Sequence, residues 1–383
     1  MNKFAASIAL SAAFAGAASA ESPVGGGMVG DQVSPVAAKS GSGFVLAWQD
    51  SRIDGKGWGI ALQRFNSGLS SVGAIQRVNS QSFEHQERPV IAAFADGGTV
   101  VVWQSGRRGQ QDVMFRQLQA DGSWLRSESY ANTFRVGDQV EPSVTVLRDN
   151  TFLIAWTTRG QFGATSRGVM AQRFSRNGSR LGGEFRVDDV KSADSGMPRL
   201  VANADGGFSA LWTSDALTGV SRRQLQVRQF ASDSAPIGAS AKVAGVTGDI
   251  SEFAVAPSSA GGDLLVRHSG GKTVSLYTLS GSAASNVRQF ASSAQADGLS
   301  VGSDGGSVLC AWSSRRADGL GSASYSISLD RSNPTAAAPA RISSAVTLGE
   351  TAPSLLSLGQ NNTVAIWSRM SGNNGFDVVL NAQ

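Results

Sequence analysis

Arginine is the side chain that this sequence repeats where chemistry could occur. Arg52, Arg107 and Arg108, Arg159, Arg222, Arg315 and Arg316, and Arg369 each follow soon after the end of an apolar run. A guanidinium is permanently charged and presents a rigid fork of donors, which suits the recognition of oxyanions. A second polar set stands three residues before an aligned proline: Gln32, Gln86 and Gln139. Both sets are expected to ring the mouth of a central channel and to form its ligand-binding residues. Charges more than about 8 Å apart are largely screened at physiological salt. A small anion would therefore feel one or two of these arginines, whereas an extended polyanion would feel many. An acidic polysaccharide is the expected ligand.

Catalytic groups are sparse. There are two histidines. His85 lies in "SFEHQERP" between Glu84 and Glu87, and His268 ends the apolar run "GGDLLVRHS". A polysaccharide lyase or hydrolase could use His85 as a general base, with the loop arginines neutralising a uronate, and this is the enzymatic alternative. No residue is assigned a catalytic role in the favoured reading. The single cysteine, Cys310, lies inside an apolar run and is expected to be a buried small hydrophobe. No Cys/His spacing suits a metal, no Gly-rich phosphate loop opens a helix, and no cofactor is expected.

The elements that must carry these residues repeat. Trp48, Trp103, Trp156, Trp212, Trp312 and Trp367 each end an apolar run, at a period of about 52 residues, with one degenerate copy at His268. Each copy opens on a short strand at a proline, as in "SPVAA", "RPVIAAF", "EPSVTVL" and "MPRLVAN". A turn such as Asp96-Gly97-Gly98 or Asp205-Gly206-Gly207 follows, expected to be a two-residue hairpin. A second strand runs into the tryptophan. After a longer connection come a third strand, such as "IALQRF" or "VMAQRF", and a fourth, such as "LGGEFRV".

Four antiparallel strands per copy, seven times, predict an all-β, seven-bladed β-propeller. The last copy lacks a fourth strand, and "SPVGGGMVGDQ" (22–32) reads as that strand, completing blade seven and closing the ring. Long connections would then share one face, where binding sites concentrate.

The N-terminus reads as a signal peptide over residues 1–20. Lys3 precedes an apolar, Ala-rich run that ends at Ala18-Ser19-Ala20. Residues 21–383 form the single propeller domain, exported to the periplasm or beyond. No later apolar run is long enough to span a bilayer. A formal net charge of +4 with 16% charged residues is a modest excess, and with export it argues against nucleic acid as partner.

The repeated phrase P-x-V-A…D-G-G-F…W, then Q-R-F, then L-G-x-E-F-x-V resembles a repeat of secreted and surface bacterial proteins. It is clearest in residues 86–103, 142–187 and 198–212. The resemblance implies propeller modules of the kind found in adhesin-like chains. It implies no shared activity, so it places no catalytic residue here. The favoured function is an exported, non-catalytic binding or adhesion module for an acidic glycan. A structural scaffold in an envelope or surface complex, with a protein partner, is the third reading.

Overall fold

A computed structural model of the 383-residue chain describes residues 22–26, 28–189, 194–215, 223–258, 261–270, 272–291, 295–304, 307–317, 323–331, 340–341, 351–359, 362–371 and 375–382. The fold is an all-β propeller of four-stranded antiparallel sheets, seven of which occur among the described residues. Sheet I holds Gln32–Ser40, Gly43–Asp50, Gly59–Phe65 and Ser71–Arg77 in that order. Sheet II holds Gln86–Ala93, Thr99–Ser105, Asp112–Leu118 and Ser129–Tyr130. Sheet III holds Gln139–Val146, Phe152–Gly160, Gly163–Phe174 and Arg180–Arg186. Sheet IV holds Ser195–Ala202, Phe208–Asp215, Arg223–Phe230 and Pro236–Lys242. Sheet V holds Ile250–Ala256, Gly262–His268, Thr273–Ser280 and Ala283–Ala291. Sheet VI holds Gln295–Asp304, Ser307–Ala317, Ala323–Arg331 and Ala340–Arg341. Sheet VII holds Thr351–Gly359, Asn362–Met370, Phe376–Ala382 and, at its outer edge, Ser22–Pro23. The first strands of successive sheets touch in chain order, and that of sheet VII touches that of sheet I.

The N-terminal segment pairs with sheet VII more briefly than the sequence suggests. Ser22 lies opposite Leu380 and Pro23 opposite Val379. The chain then turns through Val24–Gly26, with Gly25 at φ 70°. A glycine run favours this turn over continued strand, because positive φ costs a glycine little. Val24 and Met28 instead pack into the core between sheets VII and I, beside Phe44, Trp48 and Leu380.

The tryptophans form the cores between sheets. Trp48, Trp103, Trp156, Trp212 and Trp367 are fully buried, and each sits opposite an irregularity in the first strand of its own sheet. That irregularity is a bulge at the X-Pro pair. Ser34, Arg88, Glu141 and Met197, each directly before a proline, have φ between 52° and 57°. Proline has no N–H to give a ladder, so a bulge is where a sheet accepts it. A non-glycine residue at such φ costs about 1–3 kcal/mol unless its surroundings hold it there. The adjoining sheet supplies that hold through the residue after each tryptophan. The N–H of Arg88 donates to Gln49 Oε1 (3.2 Å), that of Glu141 to Gln104 Oε1 (3.3 Å), and that of Met197 to Thr157 Oγ1 (3.0 Å).

Sheet V departs from this pattern. Its bulge falls between Ile250 and Glu252, and His268 pairs with Ile250. The imidazole is half-buried, and burial pulls its pKa below the usual histidine value. It does not fill the slot that a tryptophan fills elsewhere. Cys310 is fully buried, packed with Trp312 and Phe290.

The hairpins differ from the two-residue turns expected. Gly97 N donates to Phe94 O, and Phe94 N donates to Gly98 O (3.0 and 2.8 Å). The same pair of bonds closes Leu147–Thr151 and Asn203–Gly207. Each loop is thus three residues long and ends on one residue of positive φ: Gly97, Asn150 or Gly206. The aspartate before that residue accepts the next N–H, as Asp96 does from Gly98 (2.8 Å), so a tighter turn is not needed.

On this turn face the arginines are engaged between sheets. Arg176 bridges to Asp96 (2.9 Å), and Arg64 donates to the carbonyls of Ala120 and Asp121 (2.8 and 2.6 Å). Among the described residues, no helix is long and apolar enough to cross a membrane.

Candidate functional site

The first strands enclose a central cavity of about 980 Å³ to which every sheet contributes. Its lining mixes the aliphatic side chains of Val36, Ile91, Val144, Leu200, Val255 and Leu299 with polar ones such as Ser34, Gln49, Gln104 and Ser143. Eight charged side chains complete it: Arg88, Arg108, Arg159 and Arg199, and Glu87, Asp138, Glu141 and Glu252. The charges cancel in number but not in availability.

Every one of the carboxylates is occupied by donors. Glu141 Oε2 accepts from Thr157 Oγ1 (2.7 Å), Arg167 Nη2 (3.0 Å) and Met197 N (3.0 Å). Burial alone would raise the pKa of Glu141. The donated bonds and the nearby Arg167 and Arg88 outweigh it, and the net shift is downward. Glu252 Oε2 accepts from Arg267, and its Oε1 from Leu299 N (3.1 Å). Asp138 Oδ1 accepts from Gly109 N (2.6 Å) and Gln111 N (3.2 Å). Glu87 Oε2 accepts from the amides of Gln104 and Gln111, both at 3.4 Å.

The guanidiniums are in the opposite condition. Among the described residues, Arg88, Arg108 and Arg159 have no side-chain hydrogen bond and no ion pair. Arg199 donates only to the neighbouring carbonyl of Pro198 (2.9 Å). Its burial lowers its pKa, which the charges of Glu252 and Glu141 counter. Arginine stays protonated under such conditions. The cavity therefore holds fixed positive charge with donors to spare.

The residues expected from the sequence are distributed unevenly around this cavity. Arg108 and Arg159 line it. Arg107 is exposed beside it, its guanidinium donating to Gln110 Oε1 (3.0 and 3.1 Å). Arg52 is exposed on the same face, against Gly30. Arg315, Arg316 and Arg369 do not lie in loops: their strands run on past the tryptophans, and Arg369 pairs with Asp377 across the ladder. Arg222 lies outside the described residues.

Gln32, Gln86 and Gln139 do not ring the mouth. They are 2%, 1% and 0% exposed. Gln86 and Gln139 accept the indole N–H of Trp103 and Trp156 (3.0 and 3.1 Å). The physical reason is that a buried indole N–H needs a partner. The start of the first strand is the nearest polar position. Sequence reasoning missed Arg88 and Arg199, which flank the prolines inside strands. The bulge at X-Pro was their only signal.

His85 stands outside the cavity lining. Its Nδ1 accepts the N–H of Trp58 (3.4 Å), tying sheet II to the long connection of sheet I. Asp31, Asp138 and Asp249 make the equivalent bonds elsewhere, to Phe376 N, Gly109 N and Arg223 N. His85 thus occupies the place of a capping aspartate. Among the described residues, no cluster of three or more His, Cys, Asp or Glu side chains is placed to hold a metal ion.

No family model matches the chain, and no curated protein matches it. Solved structures do. The chain is similar to a protein of unknown function from Dyadobacter fermentans, with 12% identity and a TM-score of 0.53 over 94% of this chain and 98% of that one. It is similar to a Penicillium chrysogenum α-L-arabinanase complexed with arabinobiose, with 11% identity and a TM-score of 0.52 over 91% and 92%. It is also similar to a polysaccharide lyase of the PL25 ulvan lyase family, with 9% identity and a TM-score of 0.57 over 93% and 95%. At these identities the likeness is one of fold.

Proposed function

We propose that the protein is an exported, non-catalytic module that binds an acidic glycan at its central cavity and the face around it. The reading takes the seven sheets as blades of one ring, closed at the pairing of Ser22–Pro23 with Val379 and Leu380. One observation carries it. Arg88, Arg108 and Arg159 face one cavity without a hydrogen-bond or ion-pair partner among the described residues, while each of the four carboxylates there accepts hydrogen bonds from within the protein. Guanidiniums without hydrogen-bond partners in a concave site that also carries aliphatic side chains suit a ligand with oxyanions on a C–H-rich frame.

Two propeller structures of the same fold are an arabinanase with bound arabinobiose and a polysaccharide lyase, which supports a saccharide as the ligand class. A non-catalytic role is supported by the state of Glu252, both of whose oxygens accept within the protein, and of Glu141, whose Oε2 accepts three hydrogen bonds. Residues 1–20 act as the export signal in this reading.

The test is calorimetric titration of the mature protein with oligogalacturonate and with a neutral oligosaccharide of equal length, at low and high salt. Binding of the acidic ligand alone, weakened by salt, is expected. Each charge-assisted hydrogen bond is worth about 1.5–3 kcal/mol. Arg88→Gln with Arg159→Gln should therefore weaken it by about 100-fold or more. Absence of binding to any acidic oligosaccharide at low salt overturns the proposal.

A further inference from the structure

We infer that the ligand does not stop at the cavity but runs along a track over three consecutive sheets, I to III, built from a repeated pair of an exposed apolar side chain and an arginine. The inference rests on the acidic-glycan reading and deepens it. The pairs are Val29 with Arg52, Phe83 with Arg108, and Val136 with Arg159. Val29, Phe83 and Val136 are 61%, 74% and 69% exposed, in a chain whose other large apolar residues are mostly buried. Each occupies the same place in its repeat, three residues before Gln32, Gln86 or Gln139.

The backbone fixes each pair. Ser51 N donates to Asp31 O (2.9 Å), Gly106 N to His85 O (2.9 Å), and Arg159 N to Asp138 O (2.8 Å). Each bond ties the turn that carries the apolar residue to the segment that carries the arginine. The buried glutamines support these turns from below, donating to the carbonyls of Gly30, Phe83 and Val136 (3.2, 3.0 and 3.4 Å). A water-facing apolar side chain gains nothing for the fold. Repetition at three successive sheets gives it a register.

The apolar member is absent from the sequence at sheet IV, where Ser192 stands three residues before Ser195. The same backbone tie persists there, from Asp215 N to Asp194 O (3.2 Å), but its donor is an aspartate that pairs with Arg223. In sheet V the tie runs from Ser269 N to Asp249 O (2.8 Å), and Thr247 stands where the apolar residue would be.

Chemistry names the occupant. Packed sheets lie about 10 Å apart, beyond the screening distance of about 8 Å. Separate anions would bind each pair alone, whereas a linear chain with a charge on successive units engages all three at once. A sugar ring offers a C–H face for valine or phenylalanine and a carboxylate or sulfate for the guanidinium. Single-stranded nucleic acid asks for an aromatic platform at each base, and two of the three apolar residues here are valines. The occupant is a linear acidic polysaccharide.

Oligogalacturonates of graded length provide the test. Affinity should climb steeply with length until the chain reaches across three sheets, by about 100-fold over the shortest binder, and then level off. Phe83→Ser with Val136→Ser, both at exposed positions, should cut the affinity of the long oligomer by about 10-fold. Affinity independent of length, or unchanged by these substitutions, overturns the track while leaving cavity binding intact. Equal binding of single-stranded DNA or polyglutamate of matched length also overturns it. Failure of every acidic oligomer to bind would instead remove the cavity reading beneath it.

Discussion

Glu141 joins the fold to the cavity, and replacing it by glutamine exposes the logic of both. Its carboxylate neutralises Arg167, caps Met197 N of the next sheet and accepts from Thr157. Glutamine keeps an acceptor for the neutral donors but removes the charge. Arg167 then retains only Asp194, at 4.0 Å, and its buried Nε already has no acceptor. Removing one partner of a buried ion pair costs about 3–5 kcal/mol. The side chains of Glu141 and Arg167 keep 20% and 19% exposure, so the lower end, about 3 kcal/mol, is expected for Glu141→Gln.

Urea denaturation read by tryptophan fluorescence measures it. Adding Arg167→Met should recover most of the loss, because the stranded cation is then gone. The acid limb gives an independent check. The pKa of Glu141 is lower in the folded state than in the unfolded chain. Its stabilisation is therefore complete above the unfolded value of about 4.3 and is lost as pH falls through the folded value. Glu141→Gln should flatten that part of the acid limb. A loss below about 0.5 kcal/mol, or an unchanged acid limb, would refute the view that this carboxylate is a fixed structural charge.

Two further outcomes follow from the same structure. Gln139→Leu should destabilise by about 1–3 kcal/mol, since the Trp156 indole N–H loses its acceptor, and denaturant titration will read it. Removal of residues 22–28 should uncover the edge of Phe376–Ala382 and the core around Phe44 and Leu380, lowering the thermal midpoint and promoting self-association in sedimentation. An unchanged midpoint would mean that the N-terminal pairing adds nothing to the stability of that sheet.

Much of the architecture is readable from the order of residues. The tryptophan period, the apolar runs and the glycine turns mark four strands per copy because burial alternates along a strand and a single blade cannot cover both its faces. Cys310 is readable for the same reason. The direction of side chains near the prolines is not. Gln86 and Arg88 stand two apart on one strand, and simple alternation gives them one face. Gln86 turns inward to Trp103, and Arg88 lines the cavity. The bulge between Glu87 and Val90, with Arg88 at φ 52°, breaks the alternation.

The sequence by itself determined the repeat, the all-β class and a surplus of arginine behind the tryptophans, since these follow from local pattern and composition. Only the tertiary structure decided which arginines are free. Arg176 and Arg159 are chemically identical, but one meets Asp96, 80 residues away in the chain, and the other meets no carboxylate among the described residues. Pairing across sheets depends on which copies become neighbours and how their bulges turn, and a linear chain records neither.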